Sequence, residues 1–124
     1  YISSRFGPRT DPFDGRRALH KGVDFTASAG SDVFAIASGV VVWAGYEKDY
    51  GNLVEIRHSN GYRTRYAHNR DYLVKPGDIV QKGQVIARVG QTGRASGAHL
   101  HLEVLSGDRQ VDPMQYISTV RGDA

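Results

Sequence analysis

The sequence has no cysteine in its 124 residues. Disulfides and thiolate metal sites are therefore excluded, and any metal must be held by His, Asp or Glu. No apolar run approaches the roughly 20 residues that a membrane span needs, and no long amphipathic helix is legible. Lys and Arg outnumber Asp and Glu by 16 to 13, a formal net charge of +3. The arginines are scattered (Arg5, Arg9, Arg16, Arg17, Arg57, Arg63, Arg65). Nucleic-acid binding calls for a clustered basic stripe with interleaved aromatics, so nucleic acid is not expected as a partner. The mild positive charge suits an anionic partner and says no more. An initiator Met and a charged-then-apolar leader are also missing ahead of Tyr1. This suggests an excised domain or mature product, with any signal or anchor in segments outside the chain. The closing Arg-Gly-Asp is taken as a chance tripeptide.

What the sequence has is glycine: 15 residues, with short runs rich in Val, Ile, Tyr and Phe between them. "DVFAIA", "GVVVWAGY", "NLVEIRH", "YRTRYAH", "QVIARVG" and "HLHLEVL" alternate in polarity. Such runs, broken by frequent turn signals, predict an all-β, mostly antiparallel fold in one domain spanning 1–124. Asn60-Gly61 is a strong hairpin signal. "AGSDVFAI", "KPGDIVQ" and "KGQVIAR" each place a Gly turn before a Val/Ile segment, which suggests stacked hairpins. Residues 1–19 read as an ordered loop, and Asp112-Pro113 as the opening of one short helical turn.

The chemistry lies in the histidines. In "HLHLEV", residues i and i+2 of a strand share a face. His99, His101 and Glu103 therefore lie together, with Leu100, Leu102 and Val104 behind. Alone, the two histidines read first as exposed strand residues. "HKGVD" places His20 and Asp24 four apart, about 13 Å on a straight strand, so a shared ion requires a bend, which Gly22 permits. Alone, Asp24 reads as a surface partner of Lys21 or an Arg. Combined, two histidines and one aspartate give a divalent cation a site with an open position, where a water pKa falls to about 7. The same set describes a non-haem iron triad. His68 closes "YRTRYAH", whose Tyr62, Thr64, Tyr66 and His68 are expected on one face. There it is placed to accept a proton or to bind an oxyanion. His58, at the mouth of the Asn-Gly turn, is left out. Glu103 is read as a solvated strand residue, with orientation of a ligand histidine as the alternative. Tyr66 is read as a packing residue or an oxyanion donor. The glycine-rich loop 90–99 suits close backbone approach to a peptide or a plain hairpin.

The order of "HKGVD", "YAH" and "HLH" resembles the lysostaphin-type (LytM-like) zinc endopeptidases of bacterial cell walls, marked by H-x-x-x-D, Y-x-H and H-x-H. "GNLVEIRHSNGYRTRYAH" and "LVKPGDIVQKGQVIARVGQTGRASGAHLHLEV" extend the resemblance over most of the chain. "SSRFGPRTDP" is similar to the entry segment of Gram-negative envelope endopeptidases. The resemblance implies a LytM-like barrel-sandwich-hybrid sheet core, a Zn2+ held by His20, Asp24 and His101, and catalytic histidines His68 and His99. It implies an enzyme of the periplasm or cell envelope that hydrolyses peptide cross-links of peptidoglycan stem peptides, at D-alanyl–diaminopimelate bonds. Membrane anchoring is expected only through segments outside this chain, and a protein regulator or inhibitor is a further expected partner. A glycyl-glycine endopeptidase and a catalytically silent, amidase-activating domain are the alternatives. "VKPGDIVQKGQVIA" also resembles biotinyl and lipoyl carriers, but no lysine has a Met-Lys-Met or Asp-Lys-Ala context.

Overall fold

The computed structural model describes residues 2–10, 17–93, 95, 97–114 and 116, the side chains of 3–4, 8–10 and 17–20 excepted. The strands are β1 (Ile2–Ser4), β2 (Gly7–Thr10), β3 (Arg17–His20), β4 (Val23–Thr26), β5 (Asp32–Phe34) and β6 (Gly39–Glu47). They continue with β7 (Gly51–Arg57), β8 (Tyr62–Tyr72), β9 (Ile79–Val80), β10 (Val85–Val89), β11 (His99–Ser106) and β12 (Arg109–Val111). All six runs picked out by their alternation form strands. The N-terminal segment read as loop contributes β1, β2 and β3 instead. Its Pro, Gly and Arg content hid strands of three and four residues, too short to establish a period.

The main sheet runs in the order β1-β4-β11-β8-β7-β6-β9, with β10 pairing β5 and β8, and β12 pairing β11. Strands β2 and β3 form a separate two-stranded sheet. Every pairing is antiparallel. The expected Asn-Gly hairpin joins β7 to β8: Asn60 and Gly61 both take positive φ, 63° and 78°, as a two-residue turn of this twist requires. The repeated Gly motif is real at the level of geometry. Ser31, Asp78 and Gln84 donate their N–H to Ser28, Lys75 and Gln81 at 3.1, 3.0 and 3.0 Å. Gly30, Gly77 and Gly83, third in each turn, have φ of 91°, 95° and 85°, the conformation that position of a type II turn demands. Near the end, Asp112 Oδ1 accepts from Met114 N at 3.0 Å and caps a helical turn at Pro113 and Met114.

One face of the main sheet is covered. Val41, Val54, Ile56, Tyr66 and Leu102 from β6, β7, β8 and β11 meet Val33, Val80, Ile86 and Val89 from β5, β9 and β10 in a single apolar cluster. Each such side chain contributes roughly 1.5–3 kcal/mol by leaving water. The register pairs Leu102 with Tyr66 and with Val23. Leu100, Leu102 and Val104 therefore back onto buried structure, and His99, His101 and Glu103 look the other way, as the alternation predicted.

Candidate active site

Two strands bring the first pair of polar groups together. Asp24 on β4 lies directly opposite His101 on β11, and His101 Nδ1 meets Asp24 Oδ1 at 2.7 Å. Gly22 makes this approach possible. The chain leaves the small sheet after His20 and enters the main sheet at Val23. A Cβ at position 22 would run into the Leu102 carbonyl and stand 3.0 Å from Glu103 Cγ. Gly22 is thus needed for close passage beside β11, more than for the bend inferred from sequence.

Glu103 corrects the sequence reading. It is not solvated but 1% exposed, and its Oε2 accepts from His101 Nε2 at 2.9 Å. Tyr50 Oη donates to both of its oxygens, at 3.1 and 3.0 Å, and Arg65 Nη1 lies 3.4 Å away. Arg65 Nε in turn donates to Glu55 at 2.7 Å. Burial pushes the Glu103 carboxyl up, but His101, Tyr50 and Arg65 more than reverse that and hold it below the usual carboxylate range. Tyr50 is pushed up to about 12 by burial and by Glu103. His101 itself is buried, which opposes its charge. Its two carboxylate partners outweigh burial and lift it to about 9.

His68 reaches the site by a different route. On β8, Thr64 and Tyr66 face the core, and Arg65 faces the polar side opposite Glu103. Strict alternation would send His68 into the core after Tyr66. Instead the β7–β8 register slips between Asn52 and Val54, and His68 takes a φ of 64°. A bulge of this kind re-aims a side chain. The His68 ring then lies 5.1 Å from that of His99 and 5.8 Å from that of His101. The expected common face of Tyr62, Thr64, Tyr66 and His68 is therefore broken at His68. Tyr66 is no oxyanion donor: it is fully buried, its hydroxyl accepting from Ile36 N at 3.1 Å and bonded to Thr64 Oγ1 at 3.0 Å. Burial pushes it up to about 12. His58 stays outside the site, as expected, and bridges the Ser38 carbonyl and Thr64 Oγ1 at 2.7 Å each.

Loop 90–99 does more than connect strands. His68 Nδ1 donates to the Thr92 carbonyl at 2.7 Å, and His99 Nδ1 to the Gly97 carbonyl at 2.8 Å. A carbonyl only accepts, so each ring carries a proton on Nδ1, and in its neutral form has the lone pair on Nε2. Burial pushes the pKa of His68 down; the Thr92 carbonyl opposes this without reversing it. His99 Nε2 lies 3.8 Å from Asp24 Oδ1. Backbone carbonyls carry no side-chain signature, so Thr92 and Gly97 were invisible in the sequence. Glu103 and Tyr50 had a signal only in Glu103's i+2 spacing from His101.

Four of the five expected site residues, Asp24, His68, His99 and His101, thus converge. His20 ends β3, opposite Gly7, and its side chain lies outside the described residues. Among the described residues no group of three His, Asp or Glu side chains is arranged around one ion position. The pair that is described suits a divalent cation chemically. It offers one carboxylate oxygen and one ring nitrogen on adjacent strands, with the far nitrogen tied to a buried carboxylate as behind many metal-bound histidines.

Residues 18–113 match the profile of Peptidase family M23. The chain is 45% identical over 105 residues to peptidoglycan DD-endopeptidase ShyC of Vibrio cholerae serotype O1, covering 84% of this chain and 24% of that protein. It is 43% identical over 113 residues to DD-carboxypeptidase/endopeptidase Mpg of Neisseria meningitidis serogroup B, covering 91% and 26%. The chain therefore spans about a quarter of the length of these curated relatives. The fold matches the catalytic domain of the antimicrobial peptidase lysostaphin from Staphylococcus simulans with a TM-score of 0.86 at 34% identity, covering 95% of this chain and 92% of that one. Sequence order, site geometry and fold lead to the same place, and the chain belongs to Peptidase family M23.

Proposed function

We propose that this chain is a zinc-dependent endopeptidase of the bacterial cell envelope that hydrolyses peptide cross-links of peptidoglycan at D-alanyl–diaminopimelate bonds. The observation that carries it is the convergence of Asp24 and His101, 2.7 Å apart, with the rings of His68 and His99 beside them. Relatives at 43–45% identity are named DD-endopeptidases, and a solved relative at 43% identity is described as a zinc containing peptidase from Vibrio cholerae. These names support the choice of bond and of metal. The periplasm is the compartment where such a substrate is met.

Asp24 and His101, with His20, are the groups proposed to hold the zinc. When bound, zinc supplies Lewis acidity toward the scissile carbonyl and acidifies the attacking water. His101 presents Nδ1 because Glu103 occupies Nε2. The carbonyl contacts hold a proton on Nδ1 of His68 and of His99, so in the neutral ring Nε2 is the basic nitrogen, and burial, which lowers the pKa of His68, favours the neutral form there. One of the pair takes the proton of water at Nε2. The imidazolium so formed, still pinned at Nδ1, passes the proton to the leaving amine. The other, when it carries a proton on Nε2 as well as Nδ1, donates that Nε2–H to the developing oxyanion.

The test is digestion of purified cross-linked sacculi by the zinc-loaded chain, with products identified by mass spectrometry. New D-alanine carboxyl termini and free diaminopimelate amines are expected. Cleavage elsewhere would overturn the assignment of the bond, and intact sacculi the activity. His68→Ala and His99→Ala should abolish turnover with zinc retained, and His101→Ala should lose zinc as well.

A further inference from the structure

Beside the catalytic histidines lies a cavity of about 540 Å³ that the proposed chemistry does not use. It opens on the same sheet face as the site. Tyr50 forms the partition, its hydroxyl on Glu103 and its ring 6.3 Å from that of His101. Trp43 and Leu53 give the cavity an apolar wall, and Arg57, Arg63 and Arg65 give it three guanidiniums. A register slip in β6 between Val41 and Trp43 turns both Val42 and Trp43 outward, leaving Trp43 45% exposed.

The charges discriminate among ligands. Glu47 and Glu55 also line the cavity, so three cations face two anions. Arg63 and Arg65 are both committed to Glu55, at 3.0 and 2.7 Å, and Arg63 also reaches Asp108 at 3.3 Å. The Arg57 guanidinium makes no ion pair or hydrogen bond with any described residue. One unspent guanidinium fork above an apolar wall fits a single carboxylate on an aliphatic stem, and a polyanion is poorly matched. The position fits as well. Arg57 pairs with Arg63, and Arg63 with Leu105, four residues along β11 from His101. That is about 13 Å along the strand, and the two strand spacings of about 4.8 Å between β7 and β11 bring the backbone separation to roughly 16 Å, within reach of a neighbouring arm of a branched peptide.

We propose that this cavity is a specificity subsite in which Arg57 binds a free carboxylate on the peptide substrate, such as that of an unamidated diaminopimelate residue. The inference rests on the peptidoglycan endopeptidase reading and deepens it. It predicts that substrates amidated at that carboxylate are cut less well.

Two synthetic cross-linked stem peptides, identical except for carboxylate or carboxamide at diaminopimelate, provide the test. The zinc-loaded chain should show a kcat/KM about tenfold higher for the acid, the value of one charge-assisted contact. In Arg57→Gln the ratio should fall to about one. Equal kcat/KM for acid and amide in the wild-type chain, or a ratio unchanged in Arg57→Gln, overturns the subsite. Trp43 is the one tryptophan of the chain and lines the cavity, so its fluorescence reports occupancy without turnover. Acid-selective quenching, lost in Arg57→Gln, supports the subsite even if neither peptide is cut, an outcome that would overturn the endopeptidase reading alone. Neither cleavage nor selective quenching overturns both.

Discussion

Glu103 accepts a hydrogen bond from His101 Nε2 at 2.9 Å, from two residues along the same strand. Alternation on β11 puts the two side chains on one face, and the half-buried Tyr50 and Arg65 fix the carboxylate. The consequence is directional, since His101 is left with Nδ1 for the proposed metal. Glu103→Ala should lower zinc affinity roughly 10–100-fold, as read by chelator competition. Glu103→Gln keeps an acceptor oxygen and should lose less. If the Ala variant bound zinc as tightly as the wild type, Glu103 would have no part in presenting His101.

A second relationship concerns β8. His68 is the residue at which this strand changes partners. Its pairing with β11 ends at Ala67, opposite His101, and its pairing with β10 begins at Asn69, opposite Val89. The left-handed backbone at His68 makes that corner, and an L-residue there costs roughly 1–2 kcal/mol relative to its ordinary conformations. Gly escapes this cost. In ordinary strand positions Ala is the more stable of the two by about 0.5–1 kcal/mol. At position 68 the order should invert, with His68→Gly more stable than His68→Ala by about 1 kcal/mol in urea unfolding. The usual order would mean that the left-handed backbone at His68 imposes no penalty.

These two features mark the limit of what the sequence disclosed. Alternation in "HLHLEV" located the polar face of β11 because β11 is regular. The ordered set of His and Asp motifs picked out Asp24, His68, His99 and His101, which the fold brings together, because side chains carry that signal. Alternation failed at His68, where an inserted residue resets the period, and a bulge leaves no mark in a string of residue types. Glu103 was judged polar and therefore wet, yet its partners come from β7's approach at Tyr50 and from β8. Those contacts exist only once register is set. Strands β1, β2 and β3 escaped notice because three or four residues cannot establish a period of two.

The pH dependence of the metal-free protein follows from His101. Its folded pKa of about 9 lies above the unfolded value near 6.5, so protonation favours the fold. That contribution is fully present below pH 6.5 and is lost as pH rises toward 9. His68 has the opposite sign, its folded pKa being lowered; it removes stability as pH falls below 6.5, outside this window. Urea midpoints of chelator-treated protein should therefore decline between pH 6.5 and 9. Zinc loading should flatten the slope, because a nitrogen engaged by metal no longer titrates. A metal-free protein equally stable at both ends would show that the Asp24–His101–Glu103 pairing does not hold a charged ring.

Gly22→Ala tests whether the site depends on the close passage of β4 beside β11. The added methyl would meet the Leu102 carbonyl and Glu103 Cγ, neither of which is the free end of a flexible chain. The strands must separate or slide, and the register Val23 to Leu102 and Asp24 to His101 must give way with them. Overpacking of this kind costs about 1–3 kcal/mol, and it should weaken zinc binding in the same step because Asp24 and His101 are set by that register. Gly77→Ala is the control. Its φ of 95° penalises a side chain, but nothing stands within 4 Å of its Cβ and it lies in the turn before β9. It should lower the melting temperature with zinc affinity unchanged. If Gly22→Ala lost stability and still bound zinc like the wild type, Asp24 and His101 would not owe their meeting to the β4–β11 contact.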